Sequence, residues 1–293
     1  MDGVIVVDKA RGWTSHDVVA RMRRIAKTRK IGHLGTLDPA ATGVLPLVIG
    51  RATRLAQFYT RSDKIYEAVV RFGFATDTYD GEGKPLGPEV DPEFSREDLL
   101  HAMEKFRGEF MQTPPPVSAK KVDGVRAYEL ARKNLAVELA PVRVHVYELE
   151  LLGLEGREAR LRAHCSGGTY MRSVAHDLGQ ALGCGAHLAA LCRTGSGEFQ
   201  REQAKTLEQL AALAEQDRLA EALVPASHLL PDFPAIVVDE PVINQIRHGR
   251  NFPVSPFRAQ QPGKYVKAVS RSGELVAIGE AVLPNLYHPM LVL

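Results

Sequence analysis

The apolar residues of this chain recur at two spacings, one typical of helices and one typical of strands. Helical spacing is found in four segments, residues 14–25, 95–107, 170–182 and 206–216. In the first two segments Thr14 or Ser95 stands three positions before an aspartate. This is the pattern of a capping box, in which each side chain accepts a hydrogen bond from the backbone of the other residue. Gly108 and Gly183 follow the second and third segments, and glycine commonly ends a helix. We therefore predict four helices.

Strand-like alternation of apolar and polar residues is found in residues 66–72, 142–152 and 158–165, which predicts three strands. The run of residues 44–49 is apolar throughout and is expected to be buried. Residues 76–88 are polar and rich in glycine, which predicts a loop.

The composition of the chain changes after residue 230. Pro225, Pro231 and Pro234 mark a boundary, because proline cannot continue regular structure. Four short strand candidates follow, at residues 235–238, 265–270, 275–279 and 290–293. We therefore predict a large domain of residues 1–230 and a small β-rich domain of residues 231–293.

The composition is that of an ordinary globular protein, with 293 residues of which 45% are hydrophobic and 25% are charged. No apolar run is long enough to span a membrane, and the N-terminus lacks the basic start of a signal peptide. The three cysteines form no C-x-x-C pair, which disfavours a disulfide framework and a zinc site. We expect a cytoplasmic protein without a metal centre.

Positive charge is concentrated in one short stretch, although the net charge is only +2. Residues 21–30 contain six cations and no acidic residue, and residues 118–140 contain several more. Two interpretations fit this stretch: a solvated helix face, as most charged runs are, or a surface that contacts phosphate. The residues alone leave both open.

One carboxylate stands in an unusual setting, a loop of glycines, prolines and small residues at positions 32–46, here called the signature loop. Glycine and proline together indicate a shaped loop rather than a regular element. Its carboxylate, Asp38, precedes Pro39, and an aspartate in that position is most often a turn former or helix cap. A catalytic role is the alternative.

The whole signature loop, GHLGTLDPAATGVLP, resembles that of the TruB-type pseudouridine synthases, the bacterial tRNA pseudouridine-55 synthase family. Other motifs of that family are matched at residues 8–15, 64–66, 164–173, 183–188 and 191–193, and the tail around residues 246–250 resembles the family's small RNA-binding PUA-like module. One departure is Ala10, where the family usually has proline. The resemblance covers nearly the whole chain.

The resemblance implies an α+β catalytic domain on a mixed, mostly antiparallel sheet, followed by a PUA-like domain. It implies Asp38 as the catalytic carboxylate, Arg172 as the cation that keeps it ionised and oriented, and Tyr66 as the ring that stacks on the target base. Further residues are implied to bind substrate: His33, Tyr170, Leu191, Lys9, Arg23, Arg24 and Lys120.

The implied activity is the isomerisation of uridine 55 in the T loop of tRNA, on a flipped-out base and without cofactor or metal. The implied partner is the T-arm stem-loop, bound by a monomer with no obligate protein partner and no membrane. Two rivals stay open: a guide-RNA-dependent synthase that shares the signature loop, and an RNA chaperone that kept the fold without catalysis. Retention of Asp38, Tyr66 and Arg172 together disfavours the chaperone, because binding alone needs none of them.

Overall fold

The computed structural model describes residues 1–117, 121–122, 125–126, 139–254 and 263–293. Its largest element is a ten-stranded sheet. The strands of this sheet are β1 (Gly3–Lys9), β2 (Ile31–His33), β3 (Thr42–Ile49), β4 (Lys64–Phe72), β5 (Gly108–Gln112), β8 (Val142–Glu155), β9 (Glu158–Cys165), β10 (Ala186–Ser196), β11 (Phe199–Gln200) and β12 (Leu223–Pro225). A separate hairpin consists of β6 (Lys121–Val122) and β7 (Val125–Arg126).

The large sheet is mixed, and almost all of its strand pairs are antiparallel. Its order is β12-β1-β3-β10-β4-β9-β8-β5, with β2 attached to β3 and β11 attached to β10. Only the pair of β3 with β10 is parallel. The predicted fold class is confirmed.

Five helices are described: α1 (Ser15–Ile25), α2 (Arg96–Glu104), α3 (Met171–Ala181), α4 (Leu207–Glu215) and α5 (Glu240–Arg247). The capping boxes predicted at Thr14 and Ser95 are both formed, and Thr206 caps α4 in the same way. α2 ends three residues before its predicted end, because Phe106 and Arg107 donate to carbonyls three residues back and so form turns.

A second sheet is built from the C-terminal strands β13 (Ala235–Val238), β14 (Phe252–Pro253), β15 (Tyr265–Ser270), β16 (Leu275–Leu283) and β17 (Leu286–Val292). Its order is β13-β15-β16-β17-β14, and its presence confirms the predicted second C-terminal β sheet. The last strand starts earlier than predicted, since the hairpin turns at Asn285, whose φ is 60°. α5 was not predicted, although Asp239 is its N-cap and proline lies in its first turn.

The two sheets share one hydrophobic core. Leu275, Ile278 and Leu291 of the C-terminal sheet pack in one cluster with Val4 and Val48 of the large sheet. The 3-10 segment Gly50–Tyr59 lies in the same cluster. The other face of the large sheet is covered by α1, α2 and α3, which bury most of the remaining core.

Polar groups join the two sheets as well. Lys267 of β15 is buried and donates to the backbone oxygens of Ser227 and Leu229, the latter at 2.8 Å. The next residue, Leu230, donates its N–H to the Tyr59 hydroxyl, which itself bonds to Glu198. The proline-marked segment before residue 231 is therefore packed between the sheets.

β10 is the longest of the described strands that the sequence pattern missed. Two irregularities interrupt its pairing with β4, one between Leu188 and Ala190 and one between Arg193 and Gly195. Each irregularity shifts the alternation of inward and outward residues, so the segment lacks the period of two that identifies a strand. Nevertheless β10 lies between β3 and β4 in the middle of the sheet.

Candidate active site

A cavity of about 500 Å³ opens where the signature loop meets the start of β4, the middle of β10 and the start of α3. Six of the residues that the resemblance implicates line it together: His33, Asp38, Tyr66, Tyr170, Arg172 and, on β10, Leu191. Residues as far apart in the sequence as His33 and Leu191 thus line the same cavity.

Asp38 is paired with Arg172 by two contacts. Nε of Arg172 lies 3.0 Å from Oδ2 of Asp38, and Nη2 lies 3.3 Å from Oδ1. The side chain of Arg172 is 6% exposed, whereas that of Asp38 is 41% exposed. A guanidinium that faces both oxygens fixes the plane of the carboxylate. The predicted pairing of these two residues is therefore present, with the carboxylate open to the cavity.

A second carboxylate contacts the same arginine. Oδ2 of Asp80, in the loop of residues 76–88, lies 3.5 Å from Nη1 of Arg172. That nitrogen also donates to the backbone oxygen of Thr78 at 3.3 Å. Asp80 itself accepts a hydrogen bond from the Thr78 hydroxyl. Arg172 is thus bonded through Nη1 to the loop of residues 76–88, while its Nε and Nη2 face Asp38 on the signature loop.

The signature loop is anchored to α1 and β3. The Ser15 hydroxyl accepts from the Leu37 N–H at 2.9 Å and donates to the Leu37 carbonyl at 3.1 Å. Gly43 has φ of 94°, and a Cβ there would lie 2.3 Å from the Arg193 carbonyl. Only glycine therefore permits the signature loop to run into β3 this close to the backbone of β10.

Arg193 lies beneath the loop and is 1% exposed. Its guanidinium donates to three backbone oxygens, those of Val44 at 2.8 Å, Gly35 at 3.0 Å and Thr36 at 3.3 Å. It also bonds to the Tyr66 hydroxyl. Burial lowers the pKa of Arg193, and the neighbouring Tyr66 opposes that shift. Arginine remains charged even so, and the loop carbonyls solvate the charge.

Tyr66 stands on β4 with its ring in the wall of the cavity and only 8% of its surface exposed. Burial raises the pKa of the phenol, while Arg193 partly counteracts the rise. The hydroxyl is therefore neutral and hydrogen-bonded at neutral pH. This fixes the ring as a rigid face against which a planar ligand can lie.

Lys9 is placed differently from what the resemblance implied. It is 1% exposed and is absent from the residues that line the cavity. Its ammonium donates to the backbone oxygens of Ala10 at 3.0 Å and Pro39 at 3.2 Å. Burial lowers the pKa of Lys9 to about 8, an effect that Asp38 opposes. Lys9 thus supports the loop behind Asp38, and it borders a separate cleft next to Trp13.

Lys64 lines the cavity, although sequence reasoning gave it no role of its own. Its ammonium donates to the Ser62 carbonyl at 2.6 Å. Burial lowers the pKa of Lys64 to about 8, and the nearby Arg193 lowers it further. The motif at residues 64–66 was singled out in the sequence because of Tyr66, and Lys64 of the same motif also lines the cavity.

The remaining implied contacts lie around the rim. Burial lowers the pKa of His33, so its ring is neutral at neutral pH, and His16 stands edge-on to it at 5.9 Å. Tyr170 is the N-cap of α3, and its backbone N–H donates to the Gln112 side chain at 2.8 Å. Leu191 supplies an apolar wall.

The basic stretch divides into two kinds of residue. Arg23 donates to the Ile31 carbonyl at 3.1 Å and so holds the start of β2. Arg24 and Lys27 are exposed, and neither side chain forms an ion pair with another residue of the described part of the chain. Arg23 is exposed as well, but its guanidinium is also bonded to the backbone. Lys120 lies outside the described residues.

Two further features concern the described ranges alone. Within them no three His, Cys, Asp or Glu side chains are grouped so that they could hold a metal ion. No helix among those described has the length and apolar character needed to cross a membrane.

Comparison with known proteins agrees with this geometry. Residues 23–171 match the model of the TruB family pseudouridylate synthase (N terminal domain). Residues 172–231 match the tRNA pseudouridylate synthase B C-terminal domain. The chain belongs to the TruB family of pseudouridylate synthases. The recognition made from the sequence motifs is confirmed, and the protein is an enzyme of this family.

Relatives of this TruB family member are similar over most of their length. The tRNA pseudouridine synthase B of Solibacter usitatus (strain Ellin6076) is 70% identical over 293 residues, which is 100% of both chains. That of Symbiobacterium thermophilum is 46% identical over 252 residues, 85% of this chain and 82% of the relative.

Among solved structures, Cbf5 in a Cbf5-Nop10-Gar1 complex superposes with a TM-score of 0.72 at 30% identity, covering 96% of this chain and 78% of the other. Cbf5 in an archaeal box H/ACA sRNP Nop10-Cbf5 complex superposes with a TM-score of 0.70 at 29% identity, covering 96% and 79%.

Proposed function

We propose that this TruB family enzyme isomerises uridine 55 in the T loop of tRNA to pseudouridine, without cofactor and without a protein partner. The observation that carries the proposal is the Asp38–Arg172 pair at a cavity walled by Tyr66. The names of the relatives at 70% and 46% identity support tRNA as the substrate.

The reaction breaks the N1–C1′ bond of uridine, turns the free base and joins C5 to C1′, after which C5 loses its proton. No electron is transferred and no group is donated, so the chemistry itself calls for no cofactor. It needs a carboxylate close to the sugar or base, a cavity that limits water, and a group that receives the C5 proton.

We assign the carboxylate role to Asp38 and the orienting role to Arg172, which faces both carboxylate oxygens. Tyr66 would lie against the uracil ring, and Tyr170 and Leu191 would complete the walls. A uridine within a stacked loop cannot reach such a cavity, so the base must be flipped out of the RNA. His33, at the rim, is assigned to contact the RNA beside the flipped base.

The RNA would be held by the exposed cations of residues 21–30 and by Lys120 and its neighbours, since phosphate contacts position RNA. We assign RNA binding also to residues 231–293 as a PUA-like module. Because this module shares a core with the large sheet, we expect it to position RNA rigidly relative to the cavity.

The proposal is tested with purified protein and an unmodified tRNA transcript carrying tritium at C5 of its uridines. Release of tritium, with pseudouridine mapped to position 55, is expected from the protein alone and in the presence of EDTA. A transcript with cytidine at position 55 is the matched control. Activity that appears only with added guide RNA and protein partners would replace the proposal by the guide-dependent rival, and binding without tritium release would favour the chaperone.

We predict that replacing Arg24 and Lys27 with glutamine weakens tRNA binding and flattens its dependence on salt. Each cation that neutralises a phosphate releases counterions, so the slope of log Kd against log salt is expected to fall by about 0.7–0.9 for each phosphate that the variant leaves unneutralised. The single-turnover rate at saturating RNA should not change, because neither residue lines the cavity.

Arg160→Gln is the matched control for this prediction. It removes an exposed cation of β9, outside the basic stretch, and should leave the salt slope unchanged. A wild-type slope in the Arg24/Lys27 variant would show that these charges form only a solvated helix face.

A further inference from the structure

Trp13 is the only tryptophan of the chain and is 37% exposed. It stands between two surface clefts, of about 530 and 320 Å³. The start of α4 borders both clefts through Leu207 and Glu208. The indole is therefore the wall shared by two neighbouring spaces, one on either side of it.

This part of the surface is attached to the signature loop on both sides of the indole. The Gly12 N–H donates to the Pro39 carbonyl at 2.8 Å, and Ser15 forms two hydrogen bonds with Leu37. Pro39 and Leu37 are the neighbours of the proposed catalytic aspartate. A ligand that settles on Trp13 would consequently lie at a fixed position relative to the cavity.

Arginines border both clefts. Arg21 and Arg24 line the first, and Arg201 lines the second. None of the three forms an ion pair within 4 Å in the described part of the chain.

The nearby carboxylates, by contrast, are engaged. Asp17 accepts from the hydroxyl and N–H of Thr14, and Glu208 is bonded to its own backbone and to Thr206. The arginines and the flat apolar face of the indole thus line the same clefts, with Arg21 close enough to Glu208 to help lower the pKa of that carboxyl.

We propose that Trp13 stacks on a second unpaired base of the RNA whose uridine enters the cavity, with Arg21 and Arg24 at the adjoining phosphates. A π-face beside arginines is the chemistry that holds single-stranded nucleotides without regard to sequence. Arg11, which borders a small crevice together with Asp38, is only two residues from Trp13, a span of at most about 7 Å. One RNA loop can therefore reach both Trp13 and the crevice beside Asp38. The inference rests on the proposed function.

Because the chain has one tryptophan, its intrinsic fluorescence reports on this site alone. The test uses the Asp38→Asn protein, so that no turnover occurs, titrated with a T-arm stem-loop RNA while complex formation is followed by filter binding. Quenching of the emission in step with binding is expected. A stem-loop in which the unpaired bases other than the target uridine are abasic should bind more weakly and quench less.

Trp13→Ala in the same background is expected to raise the Kd about tenfold, the equivalent of about 1.4 kcal/mol of stacking. Trp13→Phe, which keeps an aromatic face, should remain within about threefold of the parent. The control is Leu152→Ala, which removes an exposed apolar side chain of β8 and should leave the Kd unchanged. Equal losses for alanine and phenylalanine would indicate a structural role and overturn the proposal.

Three other outcomes also overturn it. Unchanged emission in a complex that filter binding detects would show that RNA is held elsewhere, with the proposed function intact. Absence of any binding of the stem-loop would reject both the stacking site and the proposed function. Emission that changes on dilution of the protein alone would assign the clefts to contact between two copies of the chain.

Discussion

Replacing Asp38 with asparagine is expected to abolish turnover while leaving RNA binding intact. Asparagine has nearly the same shape but carries no negative charge, so it cannot act as a nucleophile or base. We expect the single-turnover rate to fall at least about 10,000-fold, which corresponds to about 5 kcal/mol of barrier. The measurement is tritium release at saturating RNA, with the Kd determined separately by filter binding.

The matched control is Asp80, the second carboxylate that contacts Arg172. Asp80→Asn also removes one charge near Arg172, but from the side away from Asp38. It should lower the rate through poorer positioning and by much less than Asp38→Asn. Activity of the Asp38 variant within tenfold of wild type would reject Asp38 as the catalytic residue.

Replacing Arg193 with methionine is expected to cause the largest loss of stability among the site residues. Methionine fills a similar volume but leaves the carbonyls of Val44, Gly35 and Thr36 without their donor. A buried polar group without a partner costs about 1–3 kcal/mol, so we expect a loss of at least about 3 kcal/mol. The measurement is the urea midpoint at an unchanged m value.

The Arg193 variant should also lose activity beyond what its stability explains. The same side chain holds Gly35 and Thr36 of the loop that carries Asp38 and bonds to the Tyr66 hydroxyl. We expect the single-turnover rate of the folded fraction to fall. Arg160→Met on β9, whose side chain is 61% exposed, is the control and should change neither quantity. A stable and fully active Arg193 variant would contradict this account of the loop.

The shared core changes what is expected of the C-terminal strands. The proline-marked segment predicts a module that could be removed while leaving a folded, weakly active enzyme. Leu275, Ile278 and Leu291 instead share one hydrophobic cluster with Val4 and Val48 of the large sheet. Truncation near residue 231 would expose this surface to water, and a loss of stability is the expected consequence.

Local structure was accessible from the sequence because its causes are local. The capping box at Thr14 and Asp17, and the one at Ser95 and Asp98, need only residues three apart. Strand β9 alternates regularly, so its pattern was visible as well. The signature loop made Asp38 the candidate catalytic residue, because a long ordered match of residues is specific where a single aspartate is not.

The central strand and the packing around it were decided only by the tertiary structure. The register of β10 places Arg193 opposite Gly43 on one side and opposite Tyr66 on the other. No spacing along the chain encodes this neighbourhood, since the three residues come from distant segments and the strand itself is irregular. The role of Arg193 as a buried support could therefore not be inferred from its motif.

The lysines and carboxylates of the site show the same difference between what a sequence pattern indicates and what the tertiary structure decides. The motifs pointed to Lys9 as a substrate contact, but burial beneath the loop makes it a support for the Pro39 carbonyl. Asp80 carried no signal in its polar loop, yet the fold brings it to Arg172. The sequence by itself determined the family and the capped helices and pointed to Asp38 as the candidate carboxylate, because these depend on contiguous residues. Which cations face solvent and which hold the loop depends on depth within the fold, and only the tertiary structure decided that.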